Sequence, residues 1–138
     1  MKYAKNKNVP DEIMMTMNTT AAYGMLPYIR CLAGEYAGYD IPILSTGILI
    51  GRDVSSCHLI FGNTPDVSRY HCRVSYNSKT GYFVITDLNS LNGVYTENGQ
   101  RIAAGDKLVL GPGQRFKLCG DQIVFETVLL PKDDGVIL

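Results

Sequence analysis

The sequence predicts an all-β protein, a two-sheet β-sandwich of about 11 short strands over residues 25–130. Three observations carry this expectation. The chain has 138 residues with 14 glycines and 6 prolines spread along it, and turn signals at such spacing cut a chain into short strands. Segments between them alternate, as where Cys72, Val74 and Tyr76 are separated by Arg73 and Ser75, the period of a half-buried strand. No helical period runs through the residues after 25.

Residues 1–24 differ in kind. Lys2 to Asn8 is polar, Pro10-Asp11-Glu12 interrupts any pattern, and Ile13 to Met17 is too short to build a core. This segment reads as a flexible N-terminal arm or linker, with 131–138 as a C-terminal tail. Strands are expected at Tyr28–Leu32, Tyr39–Leu44, Ile48–Ile50, His58–Phe61, Cys72–Tyr76 and Tyr82–Thr86. Further strands are expected near Val94-Tyr95, Arg101-Ile102, Leu108–Leu110, Phe116–Leu118 and Ile123–Val128. Pro42 places its strand at an edge or a bulge, because it lacks the N–H a central ladder needs. Asn98-Gly99 is a two-residue hairpin signal.

Composition narrows the function classes. Lys plus Arg and Asp plus Glu are 13 each, so the chain has no general basic coat for nucleic acid. No apolar run reaches the roughly 18 residues of a membrane helix. The basic N-terminus lacks the apolar core of a secretory signal. Cys31, Cys57, Cys72 and Cys119 show no Cys-x-x-Cys pair, and buried free thiols in a reducing cytoplasm are expected over two disulfides.

Three polar loops hold the residues of interest: Gly51-Arg52, Ser68-Arg69-Tyr70-His71, and Asp87 to Gly93. Singly each is common in proteins. In this order on a β pattern, with Asn98-Gly99 after them, they resemble the forkhead-associated (FHA) domain, a phosphothreonine-recognition module. The resemblance covers about Leu26 to Leu129 and implies an FHA/SMAD-like sandwich. It implies non-catalytic binding of a phosphothreonine-containing partner protein in signalling downstream of a Ser/Thr kinase. Neither cofactor nor metal is implied.

The chemistry of these residues suits that role. Phosphothreonine brings about −1.5 to −2 charges and three acceptor oxygens, and the guanidinium fork of Arg52 matches such a group. Gly51 before it permits a sharp exit from the preceding strand. Ser68 is expected to donate its hydroxyl to the phosphate, and Arg69 to add a second cation at the rim. By themselves Arg52 and Arg69 read as solvated arginines and Ser68 as a turn residue. Asn92 offers donor and acceptor to the backbone of an extended peptide, and it also reads as a turn residue before Gly93. The resemblance makes His71 a scaffold residue bonding across loops. Asp87 and Ser90 read as loop-stabilising residues, and Gly93 shapes the same loop. Leu91 stands where many family members have Thr or Ser, so one hydroxyl is lost from the site. Val94 replaces a frequent Thr.

Other readings compete. Ser68, His71 and Asp87 could be cast as nucleophile, base and orienter, but no Gly-x-Ser-x-Gly elbow is present. Cys57-His58 and His71-Cys72 could be metal ligands, although neighbours in a strand face opposite ways. Leu91 makes an FHA-like module that binds its partner without phosphate the serious alternative. Thr19 or Thr20 in the arm loosely resembles the threonine pair by which some bacterial family members bind their own phosphorylated arm.

Overall fold

The computed structural model describes residues 24–132. They form ten strands: β1 Met25–Ala33, β2 Asp40–Pro42, β3 Ile48–Gly51, β4 Leu59–Ile60 and β5 Cys72–Asn77, then β6 Tyr82–Asp87, β7 Val94–Thr96, β8 Lys107–Leu110, β9 Arg115–Leu118 and β10 Ile123–Pro131. One sheet runs β2-β1-β10-β9-β7 and the other β4-β3-β5-β6-β8. The expected all-β sandwich is observed. The expected strand at Arg101-Ile102 is reduced to a single bridge between Tyr95 and Arg101. After the Asn98-Gly99 hairpin the chain pairs once with β7 and turns again, with Asp106 N–H donating to Ala103 O at 2.9 Å.

Two more expectations shift. Tyr39–Leu44 contracts to β2, an edge strand whose Pro42 lies opposite Tyr28, as its missing donor requires. His58–Phe61 contracts to β4, which pairs with β3 in parallel, so the loop between β3 and β4 crosses the end of the sheet. β10 continues to Pro131, opposite Met25. The arm, with Thr19 and Thr20, lies outside the described residues.

Inward-facing positions of both sheets meet in one core. Phe61, Phe83, Phe116 and Phe125 are fully buried with Ile29, Ile48, Ile50, Ile85 and Ile123. Phe116 stacks on Phe125 with centroids 5.2 Å apart, and Phe61 meets Phe125 edge-on. Burying such a side chain is worth about 1.5–3 kcal/mol, so this core fixes the strands and leaves the connecting loops to carry binding residues. β3, β5 and β6 bring the three polar loops to the same end of their sheet: β3 ends there, β5 begins there and β6 ends there.

Candidate functional site

Gly51 closes β3 at its buried end. A Cβ on it would lie 2.1 Å from Arg69 O and 2.9 Å from Cys57 Sγ. The glycine is therefore required by close backbone approach, rather than by the sharp strand exit the sequence suggested. Its absent side chain lets Arg52 N–H donate to both Ser68 O and Arg69 O at 3.1 Å, and Asp53 N–H to Arg69 O at 3.2 Å. Gly51→Ala is expected to push these loops apart, lowering stability by about 1–3 kcal/mol in the manner of an overpacked core site, as read by urea denaturation.

Arg52 is exposed, but its guanidinium is not loose. Nε donates to Val67 O at 2.5 Å, which restricts the rotation of the fork. Among the described residues neither terminal nitrogen has a hydrogen-bond partner, and Arg52 makes no ion pair. The ion pairs found are Arg30–Asp40, Arg69–Asp53 and Arg115–Glu126. Arg69, by contrast, donates from Nη2 to Asp53 Oδ1 at 3.2 Å and lies over the Tyr70 ring at 5.6 Å. Hydrogen bonds from Ser56, Ser55 and Arg69 hold the Asp53 carboxyl below its usual range. Arg69 is thus exposed, with its charge shared with Asp53.

Ser68 joins two loops. Its Oγ accepts Leu91 N–H at 3.0 Å, leaving the hydroxyl proton to donate elsewhere. Its backbone N–H donates to His71 Nδ1 at 3.0 Å. His71 is fully buried, and its Nε2 lies 2.9 Å from Gly93 O. A backbone N–H only donates and a carbonyl only accepts, so the imidazole is neutral with its proton on Nε2. Burial pushes its pKa down, against smaller opposing effects of Gly93 O and Asp87. His71 rivets the loop before β5 to the loop before β7.

Asp87 fills the β6–β7 loop from beneath. Its buried carboxylate accepts Asn89 N–H at 3.1 Å, Ser90 N–H at 3.3 Å, Ser90 Oγ–H at 2.5 Å and Gly105 N–H at 3.0 Å. Ser90 Oγ in turn accepts Gly93 N–H at 3.0 Å. Gly93 has φ 86°, and a Cβ there would meet Arg101 Nε at 2.5 Å. Asn92 Nδ2 donates to Asp66 O at 2.8 Å, clasping the β4–β5 loop, while its Oδ1 has no hydrogen-bond partner among the described residues. Leu91 between them is 79 % exposed, whereas Val94 is fully buried.

Ser68, His71 and Asp87 do not form a relay. The histidine takes the backbone N–H of Ser68, not its hydroxyl, and Asp87 is committed to loop donors. All four cysteines are free and buried. Cys57 Sγ donates to Arg69 O at 3.3 Å, and His58 Nδ1 accepts Leu49 N–H at 2.9 Å.

Two supporting residues had no signal in the sequence. Arg101 Nη2 donates to Ser90 O at 3.2 Å and Leu91 O at 3.0 Å, clamping the β6–β7 loop. Glu35 accepts Gly62 N–H and Asn63 N–H at 3.1 and 3.0 Å and Thr64 Oγ1–H at 2.8 Å, bracing the loop that carries Ser68. Both act over sequence separations that no short motif records.

Comparison with known proteins bears on the fold that carries these loops. Among solved structures, the FHA domain of the CT664 protein from Chlamydia trachomatis matches with a TM-score of 0.63 at 23 % identity, over 75 % of this chain and 96 % of that one. The FHA domain of an Arabidopsis thaliana hypothetical protein matches at 0.64 and 22 %, over 86 % and 96 %. The MEK1 FHA domain in complex with a HOP1 phosphothreonine peptide matches at 0.59 and 20 %, over 75 % and 95 %. These likenesses show the fold. No curated protein matches the chain. The family model for the FHA domain matches residues 48–119, which contain all three polar loops and just over half of the sequence, and the chain therefore belongs to the FHA-domain family.

Proposed function

We propose that this chain recognises phosphothreonine in partner proteins, as a non-catalytic reader downstream of a Ser/Thr kinase. Arg52 and Ser68 hold the phosphate, Arg69 assists from the rim, and Asn92 holds the peptide backbone. Gly51, His71, Ser90, Leu91 and Gly93 shape the site. The observation that carries this reading is the guanidinium of Arg52, held by the Val67 carbonyl and, among the described residues, without a carboxylate partner, on a backbone tied to the carbonyl of Ser68, whose hydroxyl oxygen accepts Leu91 N–H. A cation fixed in direction and not already neutralised is what a dianionic group needs. The four free, buried thiols suit a reducing compartment, in keeping with a cytoplasmic setting.

Calorimetry with a degenerate phosphothreonine peptide pool, its phosphoserine and unmodified counterparts, tests the reading. Binding that requires the phosphate supports it, and equal binding of the unmodified pool overturns it. A preference for threonine over serine would come from one methyl group, worth about 1–3 kcal/mol in a fitted pocket.

A second reading has its own observation. Leu91 is the most exposed large apolar side chain described and stands in the middle of the binding loop, which favours apolar contact with a partner independently of phosphate. Leu91→Thr separates the two. Under phosphate recognition the restored hydroxyl is expected to tighten phosphopeptide binding by about 10-fold, the lower end of the net worth of one hydrogen bond to a charged group. A phosphate-independent binder would instead lose affinity for its protein partner on the same substitution.

A further inference from the structure

The outer face of the β3-β5-β6-β8 sheet carries a feature that the phosphate loops do not use. Antiparallel register sets Arg73, Thr86 and Lys107 in one row across β5, β6 and β8, and Ser75, Val84 and Val109 in the next. With Lys79 in the β5–β6 turn, Arg73 and Lys107 border a shallow groove of about 670 Å³ floored by Ser75, Val84 and Thr86. None of its lining residues is acidic. All three cations are exposed and none takes part in an ion pair among the described residues. Arg73 is anchored by a hydrogen bond from Nη2 to Thr46 O. Asp106, beside the groove, accepts the backbone N–H of Lys107 at 2.8 Å. In a chain of zero net charge, this is a local concentration of one sign.

The same groove borders a sheet edge. β8 is terminal in its sheet, and Asp87 N–H donates to Asp106 O at 2.9 Å. That bond sets the alternation of the antiparallel ladder, so Ile85–Leu108 and Phe83–Leu110 are the hydrogen-bonded pairs. The backbone N–H and C=O of Val109 then point outward along the open edge. Val109 is 56 % exposed. An open edge accepts an added strand, and a lysine on it resists neutral and basic strands while attracting an acidic one.

We infer that this face is a second binding surface, for an extended acidic polypeptide segment that pairs with β8, with a carboxylate beside Lys107 and the others in the field of Arg73 and Lys79. Arg73 lies two strand spacings inward from Lys107, about 10 Å, and Lys79 lies farther along the groove, so the charges attract a run of carboxylates and do not converge on one phosphate. The edge hydrogen bonds select polypeptide over nucleic acid or lipid. Three cations are also few beside the 6–10 phosphate contacts of salt-sensitive nucleic-acid binders.

The test is fluorescence anisotropy of a labelled ten-residue peptide alternating Glu and Thr, with its Gln-for-Glu counterpart, against the full chain. The Glu peptide is expected to bind at least about 10-fold more tightly, the effect of 1.4 kcal/mol of charge complementarity. The double substitution Arg73→Glu with Lys107→Glu is expected to remove that preference with the melting temperature preserved. Val109→Pro, which deletes the outward N–H, is expected to weaken both peptides. Arg52→Ala is expected to leave the Glu peptide unaffected, so the outcome is independent of the phosphate reading. Equal affinity for the two peptides overturns the inference, as does a preference that survives charge reversal or is lost with Arg52→Ala. Tighter binding of phosphatidylserine vesicles or single-stranded DNA to the same residues would also overturn it.

Discussion

Arg52→Ala is expected to weaken phosphothreonine-peptide binding by about 10- to 150-fold while leaving the unfolding transition nearly unmoved. A hydrogen bond to a charged group contributes about 1.5–3 kcal/mol, and each 1.4 kcal/mol is tenfold in affinity. Stability changes little because Arg52 is exposed and its one side-chain bond is to the Val67 carbonyl. The backbone N–H that ties Arg52 to Ser68 O and Arg69 O survives the substitution. Arg52→Lys separates charge from geometry. An ammonium keeps the charge but cannot bond Val67 O through Nε while presenting two parallel donors, so it should recover only a small part of the lost affinity. Calorimetry for binding and thermal melts for stability read the two effects apart. Full recovery by lysine would reduce Arg52 to a diffuse charge, and unchanged binding by the alanine variant would remove it from the site.

The parts of this structure legible in the sequence are those specified by neighbours in the chain. Cys72, Val74 and Tyr76 alternate because one face of β5 is buried, and Asn98-Gly99 turns the chain because Gly99 adopts φ 91°. The three loops were recognisable because their order and spacing survive in the sequence even though their contacts do not. What was not legible depends on contacts between distant segments. The parallel pairing of β4 with β3 follows from a loop crossing that no dipeptide encodes. Gly51 reads as a turn residue, yet its necessity comes from Arg69 O, brought within 2.1 Å of a would-be Cβ by folding. Arg101 and Glu35 look like surface charges, and each becomes a brace because its partners are loop groups, mostly backbone, 10 to 29 residues away. Asn92 shows the middle case. Its residue type suggested backbone binding, and it binds backbone already, at Asp66 O, which sets its remaining acceptor toward the outside.

His71 should carry the largest stability effect of any residue in the site, with a pH dependence of predictable sign. His71→Ala strands Ser68 N–H and Gly93 O and leaves a cavity where a fully buried ring stood. Unsatisfied buried groups cost about 1–3 kcal/mol each and partial relaxation recovers some of this, so a loss of about 2–5 kcal/mol in urea denaturation is expected. Phosphopeptide binding should fall with it, because Ser68 and Gly93 sit on the two loops the ring joins. Protonation is a milder form of the same injury: a proton on Nδ1 would face the Ser68 N–H. Burial lowers the pKa of His71 in the folded protein below the ordinary value of about 6.5 of the unfolded chain. Between the folded value and 6.5 the unfolded chain binds a proton that the folded one does not, so stability rises with pH across that window. The contribution of His71 is therefore complete above about pH 6.5 and is lost as the pH falls, by at most about 1.4 kcal/mol per pH unit. Unfolding free energies of the ligand-free protein at pH 7.5 and 5.5, for the native sequence and for His71→Gln, measure the effect without interference from the phosphate's own titration. Glutamine cannot titrate, so its stability should change less between the two pH values. An equal change in both proteins would mean that the ring is not held neutral between Ser68 and Gly93.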